Sequence, residues 1–163
     1  MYIAKFADLT AGCLLALTLA TPAFASTTVN VDLWDNGGTW DLSQNMHRGM
    51  GMQGGMMMTM MGVKVDKAIV PAGKVTFEVK NVSKETIHEM LVAPIKDANA
   101  TLPFIEKENR VDEEASGDLG EVSELDPGQT GALTLDLKPG LYILFCNVPG
   151  HYTAGMWTTV EVK

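Results

Sequence analysis

Apolar and polar residues alternate along 28–34, where Val29, Val31 and Leu33 share one face, and again along 74–82 through Val75, Phe77 and Val79. A period of two marks a strand with one buried face. Asp35, Asn36, Gly37 and Gly38 form a turn signal after the first run. A strand-like run over 61–70 ends at Pro71, Ala72 and Gly73, and residues 81–84 turn the chain again. Further strands are predicted over 87–93, 131–137, 141–147 and 157–162, with Pro127-Gly128 and Pro139-Gly140 between them. Short strands cut by Pro-Gly turns, with little helical periodicity, predict an all-β sandwich.

Two segments break this rhythm. Residues 94–124 carry Asp112, Glu113, Glu114, Asp118, Glu121 and Glu124, and read as an acidic, solvated flap with a short helix over 102–109. Residues 45–61 hold eight of the eleven methionines: Met46, Met50, Met52, Met56, Met57, Met58, Met60 and Met61, with His47 among them. Gly49, Gly51, Gly54 and Gly55 weaken any helix there. Gly-spaced thioethers are soft ligands, so the segment is a candidate second site for Cu(I). The alternative is a loop whose methionines pack on the sandwich as its second strand begins.

The C-terminal segment carries the clearest chemistry. Cys146, His151 and Met156 stand at equal steps in the pattern C-x4-H-x4-M, in a Pro-Gly loop between two strand-like runs. A thiolate, an imidazole and a thioether suit copper rather than magnesium or calcium. His88, on the run 87–93, supplies a second imidazole. Two His, one Cys and a weak axial Met make a trigonal blue-copper site. A lone Cys on an apolar strand is usually a buried hydrophobe, but only three His occur in the chain and two of them fall here. Met90, two residues beyond His88, is the competing axial candidate and reads as core.

The N-terminus reads as an export signal. Lys5 precedes an apolar run over 9–20, too short to span a bilayer, and Ala23-Phe24-Ala25 is a small-residue cleavage site. Residues 1–25 are expected to be removed, leaving one domain over 26–163 in the periplasm or otherwise outside the cytoplasm. Cys146 is then the only thiol. An unpaired Cys in an oxidising compartment is a liability unless buried or metal-bound. The net charge of −8 is the reverse of what nucleic-acid binding needs. It suits solubility and, through steering, a basic redox partner such as a cytochrome. No later run is long enough to span a membrane, and a monomer is expected.

The loop from Cys146 to Met156, together with His88, resembles the ligand loops of cupredoxins, the plastocyanin/azurin superfamily, with spacing closest to the rusticyanin and auracyanin type. The resemblance covers about residues 27–163. It implies a Greek-key β-sandwich holding one type 1 copper through His88, Cys146, His151 and axial Met156. It also implies that His151 reaches the surface as the electron exit, within an apolar patch of Val148, Pro149, Tyr152 and Ala154. The pattern departs at Glu89, where many cupredoxins carry a small polar residue that ties the two ligand loops together. Multicopper oxidases flank this Cys with His, whereas the flanks here are Phe145 and Asn147. An enzyme is therefore not expected. The expected activity is Cu(I)/Cu(II) electron transfer with a cytochrome or copper enzyme as partner. The alternative is copper handling or tolerance, with additional Cu(I) in the Met-rich segment.

Overall fold

The computed structural model describes residues 26–37 and 60–163. The expected export signal lies outside the described residues, as does the Met-rich segment up to residue 59. One sheet contains β1 (Thr27–Asp35), β2 (Met61–Val65), β4 (Gly73–Asn81) and β9 (Thr130–Leu137) in the order β2-β1-β4-β9. The other contains β3 (Ile69–Val70), β5 (His88–Ile95), β8 (Glu121–Leu125), β10 (Gly140–Phe145) and β11 (Trp157–Val162) in the order β3-β11-β10-β5-β8. Pairing is antiparallel except for β1 with β4 and β3 with β11. The result is the β-sandwich expected from the strand rhythm.

The main core lies between the sheets. Val29, Val31 and Leu33 of β1, and Val75, Phe77 and Val79 of β4, are all 0–1 % exposed and meet Met90, Val92, Leu144 and Val160 from the other sheet. Burying each large aliphatic side chain stabilises the fold by about 1.5–3 kcal/mol. Strands β5 and β10 do not alternate because both of their faces are covered. Met90, Val92, Leu144 and Cys146 face the main core, while Leu91, Ala93, Ile143 and Phe145 enter a second cluster with Leu102, Val111 and Tyr152.

That second cluster corrects the reading of residues 94–124. The segment packs on the outer face of the second sheet rather than standing off as a solvated flap. Where a helix was expected over 102–109, the chain forms a hairpin of β6 (Phe104–Ile105) and β7 (Arg110–Val111), with Asn109 in the left-handed region at φ 51°. Leu102 and Val111 are drawn into the apolar cluster, and this overrides the local preference for helix. A short helix does form, α1 (Glu113–Ser116), with Asp112 capping its start and Gly117 at φ 71° ending it. Strand β8, not expected from sequence, completes the sheet edge beside β5.

The run 61–70 also divides. Asp66 accepts hydrogen bonds from the backbone N–H and the side-chain amide of Asn30 at 2.8 and 2.7 Å. The chain turns there and crosses from one sheet to the other, so β2 and β3 belong to different layers.

Candidate metal centre

Four element ends meet at one pole of the sandwich: the end of β1, the start of β5, the end of β10 and the start of β11. Inward-facing positions Tyr142 and Leu144 lead by alternation to Cys146, one residue past β10. The ligand loop then leaves and returns. Its neck is closed by the Cys146 N–H donating to the Met156 carbonyl at 3.0 Å, one step beyond the Phe145–Trp157 pair of the β10–β11 ladder. Within the loop, the His151 N–H donates to the Val148 carbonyl at 2.9 Å and the Met156 N–H to the His151 carbonyl at 3.0 Å. Gly150, at φ 87°, makes the turn that brings His151 back over the pole.

The loop delivers three donors to one point. His88 Nδ1 lies 3.2 Å from His151 Nδ1, and Cys146 Sγ lies 3.3 Å from the same nitrogen. All three ligand atoms fall within 4.8 Å of one another, and all three residues are buried. With bonds of about 2.0 Å to nitrogen and 2.3 Å to thiolate, a trigonal plane has edges of about 3.5–3.8 Å. The two edges that meet at His151, 3.2 and 3.3 Å, approach that size. Two imidazoles and a thiolate in a buried trigonal cluster are the donor set of a type 1 copper site.

Burial sets the electrostatics. It pushes the Cys146 thiol up to about 12, against hydrogen bonds from the Glu89 and Val148 N–H groups. Burial, reinforced by the nearby His88, pushes His151 down to about 4. Burial also lowers His88, although Asp35 works in the other direction. Without a cation the pocket holds a neutral thiol and neutral imidazoles. A bound cation reverses this logic for sulfur, because a coordinating thiol is deprotonated outright.

The surroundings fix the donors. The Glu89 N–H reaches Cys146 Sγ at 3.4 Å, so a link between the two ligand loops persists through the backbone despite the unusual side chain. Burial, together with Glu121, Glu124 and Glu113, raises the Glu89 carboxyl to about 7. Asn147 holds the loop from outside. Its amide oxygen accepts from the Val111 N–H at 2.7 Å, and its amide nitrogen donates to the Val111 carbonyl at 3.0 Å and to Glu113 at 2.9 Å. On the opposite side, Asp35 Oδ2 lies 3.2 Å from His88 Nε2.

The structure thus brings together His88, Cys146 and His151 as expected. Met156 is fully buried beside Cys146 in the main core, and Met90 is buried in the same core. Met61 is 0 % exposed and also belongs to that core, while Met60 is half-buried. Met46, His47, Met50, Met52, Met56, Met57 and Met58 lie outside the described residues. The expected surface patch is smaller than the resemblance implied. His151 is only 4 % exposed, and Tyr152 and Ala154 turn inward, Tyr152 against Phe145 and Phe104. Pro149 is exposed and Val148 half-buried.

Sequence reasoning missed Asp35 and Asn147. Asp35 carried a signal: it continues the inward register of Val29, Val31 and Leu33, and a carboxylate on a buried face needs a partner. Asn147 carried none, because its partners lie in an insertion whose fold depends on distant contacts.

A two-sheet sandwich with two imidazoles and a thiolate buried at its pole defines a type 1 copper protein. The family model of copper-binding proteins, plastocyanin/azurin family, matches residues 63–163, and the chain belongs to that family. No curated protein sequence matches the chain. Among solved structures it is similar to dithionite-reduced auracyanin from Roseiflexus castenholzii, at 21 % identity and TM-score 0.50, covering 86 % of this chain and 99 % of that one. Auracyanin B matches at 20 % identity and TM-score 0.54, covering 90 % and 93 %. Rusticyanin from Thiobacillus ferrooxidans matches at 15 % identity and TM-score 0.55, covering 86 % and 79 %. These are the two types of cupredoxin to which the loop spacing pointed. The centre takes one type 1 copper, and proteins of this family pass electrons to redox partners. Among the described residues, no helix is long and apolar enough to cross a membrane.

Proposed function

We propose that the chain is exported, cleaved near Ala25, and works as a one-electron carrier through a single copper held by His88, Cys146, His151 and axial Met156. The observation that carries this reading is the convergence of His88 Nδ1, Cys146 Sγ and His151 Nδ1 in a buried cluster. The axial assignment is supported by register: residues directly opposed on a ladder project to the same face, and Met156 opposes Cys146. Bound copper supplies the Cu(I)/Cu(II) couple. The protein's part is to hold the donors in place in both oxidation states and to exclude water. Exposed Pro149 and half-buried Val148 beside His151 offer a small docking face for brief redox encounters.

The test is spectroscopic. The mature protein should bind one Cu(II), turn blue through thiolate-to-copper absorption, and bleach on uptake of one electron. A colourless one-to-one copper complex overturns the reading.

One observation favours copper handling as a second reading. The Asn36 N–H donates to the Met60 carbonyl at 2.9 Å, directly after Asp35, which touches the ligand His88. Asn36 and Met60, described residues on either side of that stretch of chain, therefore sit at the copper pole. Deleting residues 44–59 should spare the blue site and lower Cu(I) stoichiometry when titrated against a competing chelator under reducing conditions. Unchanged stoichiometry overturns this second reading and leaves the simple carrier.

A further inference from the structure

Asp35 is the last residue of β1 and continues the buried face of Val29, Val31 and Leu33. Its side chain is 2 % exposed and that of His88 0 % exposed. A carboxylate in such a place is costly unless hydrogen-bonded. Its described donors are the Gly37 N–H at 2.8 Å, the Thr86 hydroxyl and the His88 ring at 3.2 Å. Those hydrogen bonds offset the cost of burying a carboxylate there.

An ionised carboxylate only accepts hydrogen bonds. The His88 Nε2 that faces it must therefore carry the proton, and in a neutral imidazole the other nitrogen, Nδ1, then presents a lone pair. Nδ1 is the atom that lies 3.2 Å from His151 Nδ1 in the donor cluster. The carboxylate therefore selects the tautomer that can ligate and fixes the plane of the ring.

We infer that Asp35 is a positioning residue of the copper centre: it locks His88 with Nδ1 toward Cys146 and His151, and its buried negative charge favours Cu(II) over Cu(I). This rests on the reading of the centre as a single-copper redox site. Reduction removes one unit of positive charge from the metal, so attraction to Asp35 weakens in the Cu(I) state. The surrounding low dielectric leaves that difference poorly screened. Partners of a ligating imidazole tune ring orientation and ligand basicity in this way.

Asp35→Asn keeps the size and one acceptor but removes the charge; Asp35→Ala removes both. The wild-type protein must first turn blue with copper; if it does not, the reading of the centre fails rather than the role of Asp35. Asp35→Asn should remain blue and shift the preference toward Cu(I) by about tenfold, which for a one-electron couple is about 59 mV upward in potential. Asp35→Ala should rise at least as far and broaden the thiolate-to-copper absorption as His88 loses its fixed plane. Nitrogen-15 NMR of the wild-type copper-free protein should show neutral His88 protonated at Nε2 and not at Nδ1. Unchanged potentials in both folded variants, or His88 protonated at Nδ1, overturn the inference. Should neither variant fold, the wild-type NMR tautomer decides.

Discussion

Cys146 and Met156 are joined backbone to backbone across the neck of the ligand loop, at 3.0 Å, one step beyond the last pair of the β10–β11 ladder. Their side chains therefore leave the same face, toward the same pole. Met156→Leu should keep copper and colour but raise the potential by on the order of 59 mV, one tenfold step in relative affinity, since a weak donor to Cu(II) is lost. Met90→Leu should leave the potential nearly constant, because Met90 is core. Redox titration of both variants decides, and the opposite ranking would reverse their roles.

Cys146→Ser should abolish the intense visible absorption, because Cys146 is the only cysteine beyond residue 25. His88→Ala should do the same by breaking the trigonal plane. His47→Ala should leave the spectrum unchanged. A bleached His47 variant would show that the two upstream histidines have been exchanged.

The pH dependence of the copper-free protein reports on Glu89. Its folded carboxyl titrates at about 7 rather than the usual 4.5, mainly through burial and then through repulsion by Glu121, Glu124 and Glu113. A raised folded value means that the folded state holds the proton longer than the unfolded chain. Its contribution is therefore fully present below about 4.5 and is lost as pH rises through about 7. Buried His151, pushed down to about 4, acts in the opposite sense: its contribution is present above 6.5 and lost as pH falls toward 4. Denaturant midpoints of wild type and Glu89→Gln, compared from pH 4 to pH 8, should isolate the first effect. The wild type should lose stability relative to the variant as pH rises; parallel curves would show that Glu89 titrates normally.

Asn147→Ala should uncouple the insertion from the ligand loop. It strands the Val111 N–H and carbonyl, both buried, at a cost of about 1–3 kcal/mol for each unsatisfied group. Urea unfolding should show the loss. Amide exchange should quicken in β6, β7 and α1 before it does in β4 or β9.

The main strands were legible because their alternation and Pro-Gly turns are local signals. Strand β8 was hidden: Glu121, Ser123 and Glu124 mask the buried Val122 and Leu125, and the ladder with β5 shifts register between His88 and Met90. The hairpin of β6 and β7 is too short for periodicity to mark and owes its shape to Leu102 and Val111 entering a distant cluster. Cys146, His151 and Met156 were legible because one loop spaces them. His88 was legible because few histidines compete with it. Asp35 escaped because the same residues, Asp35 to Gly38, also spell a turn, and the turn is the commoner meaning.

The Asn36–Met60 hydrogen bond, one step beyond the Asp35–Met61 register pair, holds the exit and re-entry of the chain opposite each other. Whatever runs between them begins and ends at a clamped gate, so the sandwich is insulated from its length. Loop-closure cost grows only logarithmically, by about 0.6 kcal/mol per doubling. The gate is thus a natural graft point: evolution or an engineer can lengthen, shorten or replace that segment within reach of the copper without altering how the strands pair.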